Sequence, residues 1–259
     1  MVRGLYTSAW GMIANSKKMD TISNNLANVN TNAYKRDEIV FESFPDVLTK
    51  RINDTRSKLD PNAVPGNMQL GSDVGEVFTY YKQGSILTTN NRTDLAFKNS
   101  DNAFFTVGIP DESGELQEYY TRDGAFTLNA EKQLADKDGN LVLGQNGPIT
   151  LSSDDFIVED DGTVIQNGQI VDKLLIKEFA DTKTLRKFGS NLVTTTDETE
   201  EQEFSGQVKQ GALEQSNVNT VKEMVNMISV MRSYEASQKL LQIHDGVLQK
   251  TVTEVGAVR

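Results

Sequence analysis

From Ser216 to Gly256 the chain repeats at alternating steps of three and four. Met224, Met227, Met231, Tyr234, Gln238, Leu241, Asp245, Leu248, Val252 and Val255 fall on one seam of a long helix with coiled-coil spacing. Beside it Val221, Val225, Ile228, Ala236, Leu240, Ile243 and Val247 form a second stripe, so the apolar face is wider than one partner helix covers. Thr220 followed by Glu223 fits a capping box and Gly256 a stop, which predicts a helix of about 36 residues, roughly 54 Å long. Such a helix is either an ordinary core helix of one domain or, as its length and wide apolar face favour, one built to pack against helices of other chains.

The beginning of the chain carries a matching pattern. Leu5, Ala9, Met12, Ser16, Met19, Ser23 and Leu26 keep the same spacing, with Ile13, Ile22 and Val29 alongside. The small alanine and serine side chains at these positions permit close approach of a second helix. Asn28, Asn30 and Asn32 favour turns and caps, which ends this helix near residues 28–30. Two amphipathic segments, 1–33 and 212–259, therefore bring the termini together as an antiparallel pair, with everything between them an outward-facing insertion.

That insertion has two parts. Residues 34–75 hold a short apolar cluster (Phe41, Phe44, Val47, Leu48), then mixed charge and the breakers Pro61, Pro65, Gly66 and Gly71, and read as an extended connector. Over residues 76–211 the period becomes that of strands: Val77–Tyr81, Asp94–Phe97, Ala103–Val107, Tyr119–Thr121 and Ala125–Leu128 are short and β-prone. Turn signals separate the strands at Ser113-Gly114, Asp123-Gly124, Asp138-Gly139-Asn140, Asn146-Gly147-Pro148, Asp161-Gly162 and Asn167-Gly168. Their close spacing predicts antiparallel pairing, with similar hairpins around Asp138-Gly139 and Asp161-Gly162. The fold class is α+β: long N- and C-terminal helices pairing as a coiled-coil-like stalk, with an inserted, mainly antiparallel β domain.

Composition narrows the function. The 259 residues carry a formal charge of −11 and no basic patch, which argues against nucleic acid or an anionic membrane surface as the main partner. No cysteine is present, so disulfides and thiolate metal sites are excluded. No segment has the length of a membrane span, and the apolar run Ala9–Ala14 is too short for a cleavable signal. The single histidine, His244, lies in the C-terminal helix, where a packed residue is the simpler reading than a catalytic base. Asp136, Asp138 and Asn140 resemble a calcium loop only superficially, because glycine falls at the fourth position and no glutamate closes it. Asp154, Asp155, Glu159, Asp160 and Asp161 supply carboxylates, but nothing fixes their spacing in space, and a solvated loop accounts for them. We therefore assign no catalytic, cofactor or metal residue and expect no enzyme activity.

Several stretches together resemble the bacterial flagellar basal-body rod and hook proteins. They are Ser23-Asn-Asn-Leu-Ala-Asn-Val-Asn-Thr-Asn-Ala-Tyr-Lys35, Asp94-Leu-Ala-Phe97 leading to Ala103-Phe-Phe105, Tyr120-Thr-Arg-Asp-Gly-Ala-Phe126, and Gly211-Ala-Leu-Glu-Gln-Ser-Asn-Val-Asn219 running into Glu223-Met-Val-Asn-Met-Ile228, Arg232 and Tyr234-Glu235. They occur in the family's order along nearly the whole chain, and are most similar to the FlgG and FlgF rod types.

The resemblance implies a structural subunit of the basal-body rod, polymerising through its terminal helices into the axial tube that transmits torque from motor to hook. Implied partners are other copies of the chain, other rod and hook proteins, the flagellar type III export apparatus that passes the chain uncleaved, and ring or bushing proteins. The implied location is the basal body within the cell envelope. Leu5, Ala9, Met12, Met19, Leu26, Met224, Met227, Ile228, Met231, Leu241, Leu248 and Val252 would form the assembly interface. Asn24, Asn25, Asn28, Asn217, Asn219, Thr220 and Glu223 would shape the caps and turns at the inner helix ends. The length of the connector leans toward the distal-rod type over the proximal one. The alternative from a different class is a self-contained soluble β binding module, or a carbohydrate-active protein using its acidic loops.

Overall fold

The computed structural model describes residues 2–49, 66–110, 116–189 and 191–256. The centre of the expected connector, the turn at Ser113-Gly114 and the side chain of Val255 lie outside the described residues. The chain forms two compact units. One holds residues 1–26, 37–78 and 220–259, and the other holds 27–36 and 79–219.

The first unit is built on two helices, α1 (Val2–Ala27) and α2 (Thr220–Gly256). α1 stops immediately before the asparagine-rich run, where Asn28 accepts a bond from the Thr31 amide through its carbonyl (3.2 Å) and another from the Thr31 hydroxyl through its side chain (3.1 Å). A turn that satisfies itself in this way leaves nothing to continue the helix. α2 has Glu223 in its first turn, the favourable end for a negative charge.

The helices pack together as an antiparallel pair, and two glycines show the direction. A Cβ on Gly4 would sit 2.6 Å from Nε2 of His244, and one on Gly11 would sit 3.6 Å from Oγ of Ser237. One heptad forward on α1 is thus one heptad back on α2.

Described parts of the connector form a two-stranded ribbon on α1. Asp37–Ser43 pairs with Ser72–Thr79, and Val47–Thr49 continues it against Gly66–Met68. Trp10 meets Phe44 edge-on at 4.8 Å, Thr7 donates to the carbonyl of Leu70 at 3.0 Å, and Lys17 pairs with Asp73 at 3.0 Å. Asn25, buried inside the last turn of α1, exchanges two bonds with the backbone of Asp37: its Nδ2 donates to the carbonyl (2.8 Å) and its Oδ1 accepts from the amide (2.9 Å). Its amide group thereby imitates a strand partner and fixes where the ribbon begins.

The second unit is antiparallel among its described residues and centres on the strand Ala103–Pro110. That strand pairs with Leu116–Thr121 on one edge, and with Leu141–Gly144 and Ile176–Phe179 on the other. Because side chains alternate faces, Ala103, Phe105 and Val107 enter a core with Leu95, Phe97, Phe126 and Ile149. Phe104 joins Tyr81, Tyr120, Phe179 and Val193 on the opposite face. Phe97 stacks on Phe105 at 4.1 Å, and Phe126 meets Phe105 edge-on at 5.3 Å.

The two look-alike hairpins share their turn geometry. Gly139 and Gly162 both have φ of +87°, and each amide donates to the carbonyl three residues earlier, on Asp136 and Glu159. Only glycine adopts that backbone without strain.

Candidate functional site

The exposed faces of the helix pair form the first candidate surface. On α2 the heptad row Met227, Val230, Tyr234, Ser237, Leu241, His244 and Leu248 is shielded, and it includes the residues facing Gly4 and Gly11 of α1. Met227, Tyr234, Leu241 and Leu248 of the sequence-derived seam lie on this row. Met224, Met231 and Val252 are exposed, as is the whole second stripe of Val221, Val225, Ile228, Ala236, Leu240, Ile243 and Val247. On α1, Leu5, Ala9, Met12, Met19 and Leu26 are half-buried, and Tyr6 and Ile13 are exposed.

The contacts at Gly4 and Gly11 therefore fall one position away from the heptad rows drawn from apolar residues. Glycine makes them possible, because a helix without side chains at the contact comes closer than one bearing methionine. The bulky residues are left for the outside. Valine, isoleucine, leucine and methionine side chains are thus exposed along much of this helix.

The second candidate is a buried charge cluster that the sequence reading did not single out. Lys35, Arg122 and Glu214 have side chains 4%, 2% and 1% exposed. Glu214 stands on the strand Ala212–Glu214, which pairs with Ile86–Thr88. Its Oε1 accepts from the Lys35 ammonium and from the Gly84 amide (2.9 Å). Its Oε2 accepts from Nε (3.1 Å) and Nη2 (3.0 Å) of Arg122, a bidentate fork. The remaining Arg122 hydrogens go to the carbonyls of Ser100 (2.9 Å), Ala103 (3.2 Å) and Asp101, with the guanidinium between the rings of Phe97 and Phe104. Lys35 also donates to the carbonyl of Lys82 at 2.9 Å.

Asn217 completes this arrangement with uncharged bonds. Its Oδ1 accepts from the Arg36 amide (2.8 Å), and its Nδ2 donates to the carbonyls of Tyr80 (2.7 Å) and Lys82 (3.0 Å). Gly84 is required beside it, since a Cβ there would overlap the carbonyl of Gln215. Of the other turn and cap residues, Asn24 and Asn219 are exposed, Thr220 opens α2, and Glu223 is buried.

Burial pushes the Lys35 ammonium down to about 8 from 10.5; the Arg122 charge acts in the same direction and Glu214 opposes both. Between those values an unfolded chain holds more protons than the folded one. Stability is therefore expected to rise as pH goes from about 8 to about 10.5, by on the order of a few kcal/mol. Denaturant unfolding of wild type and Lys35→Met across this range checks it: the difference between their pH slopes isolates Lys35, and parallel slopes would refute it.

The acidic loops offer no comparable convergence. Asp155 pairs with Arg92 and Asp161 with Lys173 at the surface. Among the described residues no group of three or more histidines and carboxylates is placed to hold a metal ion, and no helix is long and apolar enough to cross a membrane.

Comparison with known proteins joins these observations. Three family profiles match: "Flagella basal body rod protein" over residues 5–35, "Flagellar hook protein FlgE/F/G D1 domain" over 100–177, and "Flagellar basal body rod FlgEFG protein C-terminal" over 209–254. The flagellar basal-body rod protein FlgG of Buchnera aphidicola subsp. Schizaphis graminum is 35% identical over 265 residues, covering 96% of this chain and 98% of the relative. The chain belongs to the flagellar basal-body rod protein family.

The flagellar hook-basal body complex protein FlhO of Bacillus subtilis is 28% identical, and the flagellar basal-body rod protein FlgF of Rhizobium meliloti 29%, each over the whole of both chains. Relatives of both FlgG and FlgF type match, so the assignment is to the rod family and not to a position along the rod. The chain is a structural subunit of the flagellar rod. In this rod protein each matched segment supplies one member of the charge cluster: Lys35 ends the first, Arg122 lies in the second and Glu214 in the third. Lys35, Arg122 and Glu214 all stand in the stretches that resemble the family, but no role had been assigned to any of them.

Proposed function

We propose that this rod subunit polymerises with copies of itself and with other axial proteins by burying the exposed stripe of α2, together with Tyr6 and Ile13 of α1, between neighbouring molecules. The observation that carries this reading is that α1 shields one row of α2 and leaves Val225, Ile228, Ile243 and Val247 open. Contacts of this heterologous kind extend without closing and build a helical tube. The subunit would reach that tube through the flagellar export apparatus, stand in the cell envelope, and present its β unit to surrounding ring or bushing proteins.

Ile228→Asp combined with Ile243→Asp tests it. Both side chains are exposed in the monomer, so the isolated protein is expected to keep its helicity and to change in stability by no more than about 0.5 kcal/mol per site. Burying either carboxylate between subunits costs several kcal/mol, so incorporation into basal bodies should fall at least about tenfold and swimming should stop. Normal incorporation of the doubly substituted chain would overturn the reading.

A further inference from the structure

We propose that the Lys35–Glu214–Arg122 cluster makes the two connecting segments of the β unit, residues 33–36 and 212–217, order and open as a single element. Four hydrogen bonds join the segments directly. The Ala33 amide donates to the Glu214 carbonyl (2.8 Å), the Lys35 ammonium to the Glu214 carboxylate, the Arg36 amide to the Asn217 side chain (2.8 Å), and the Asn217 amide to the Tyr34 carbonyl (3.3 Å). One segment follows α1 and the other precedes α2, so they lie at opposite ends of the chain that makes up this unit.

The charges make the joining all-or-none. Two buried cations share one carboxylate, and that carboxylate arrives only with 212–217. Until it does, Lys35 settles beside Arg122 only by placing two unneutralised cations in one water-excluded site or by giving up its proton, and both are costly. If 212–217 lifts away, the same cost expels 33–36. A chain delivered amino end first therefore carries a complete central sheet strand before its first connecting segment can dock, and the last segment of the unit closes it.

Backbone hydrogen exchange on the full chain tests the coupling, read at the amides of Ala33 and Gln215. Neither amide touches the Glu214 carboxylate: Ala33 donates to a backbone carbonyl, and Gln215 donates to the carbonyl of Ser85 (2.8 Å). In Glu214→Gln both should exchange faster by the same factor, at least about tenfold, and both should stay less protected than Phe105 and Val107 of the central strand, which open only with the whole unit. Unequal factors at the two amides, or no change, would overturn the proposal. If the variant loses protection everywhere, Asn217→Ala decides. Joint acceleration at Ala33 and Gln215, neither of which meets that side chain, supports the coupling, and acceleration confined to Arg36 refutes it.

Discussion

Replacing Glu214 with leucine is expected to destabilise the β unit by about 3–5 kcal/mol, a large share of the stability of a domain this size. The substitution removes the shared acceptor of two cations and the partner of the Gly84 amide, and the site is too buried for water to replace it. Trp10, the only tryptophan, packs on Phe44 in the helical unit, so its fluorescence does not report this loss. Urea unfolding followed by far-ultraviolet circular dichroism does. Adding Lys35→Met and Arg122→Met to Glu214→Leu should return most of the lost stability, because an apolar trio needs no neutralisation. A single variant that unfolds with wild type would mean that the cluster is not buried in solution.

Gly124→Ala should be comparably harmful, for a different reason. A Cβ at this position would overlap the carbonyl oxygen of Leu95 and lie 2.7 Å from its carbonyl carbon. Neither backbone can retreat: the Leu95 amide donates to the Gly124 carbonyl (2.9 Å), and the Leu95 side chain is fully buried. We expect a loss of at least about 3 kcal/mol, the range of substitutions that force backbone out of a packed core. Gly139→Ala supplies the comparison. It sits at φ +87° with open space around it and should cost only about 1 kcal/mol. Equal losses in the two variants, by denaturant midpoint, would show that conformation and not crowding sets the requirement at Gly124.

Gly124 also illustrates what a sequence can disclose. Asp-Gly was read there as a turn signal, as at Asp138-Gly139 and Asp161-Gly162, yet it lacks the positive φ of the other two and is needed for close approach. A dipeptide carries the local preference but not the distant backbone that leans on it. Two helix ends were legible because breakers and caps are local: α2 begins at Thr220 and α1 ends beside Asn28. The α+β class followed from the change of period between the ends and the middle. The contacts of Gly4 and Gly11 with α2 were not legible, since heptad counting follows apolar bulk and passes over glycine. The charge cluster was invisible for a related reason: Lys35 and Glu214 are 179 positions apart in sequence.

The unequal lengths of α1 and α2, 26 and 37 residues, have a mechanical consequence. With Gly4 opposite His244, α2 runs on past the beginning of α1 by about ten residues, roughly 15 Å. If molecules stack end to end as proposed above, each projecting tongue would lap the next molecule, as courses of brick are staggered in a wall. A shaft with lapped seams has no plane along which every joint ends together, and it resists bending and shear better than one of the same material cut square.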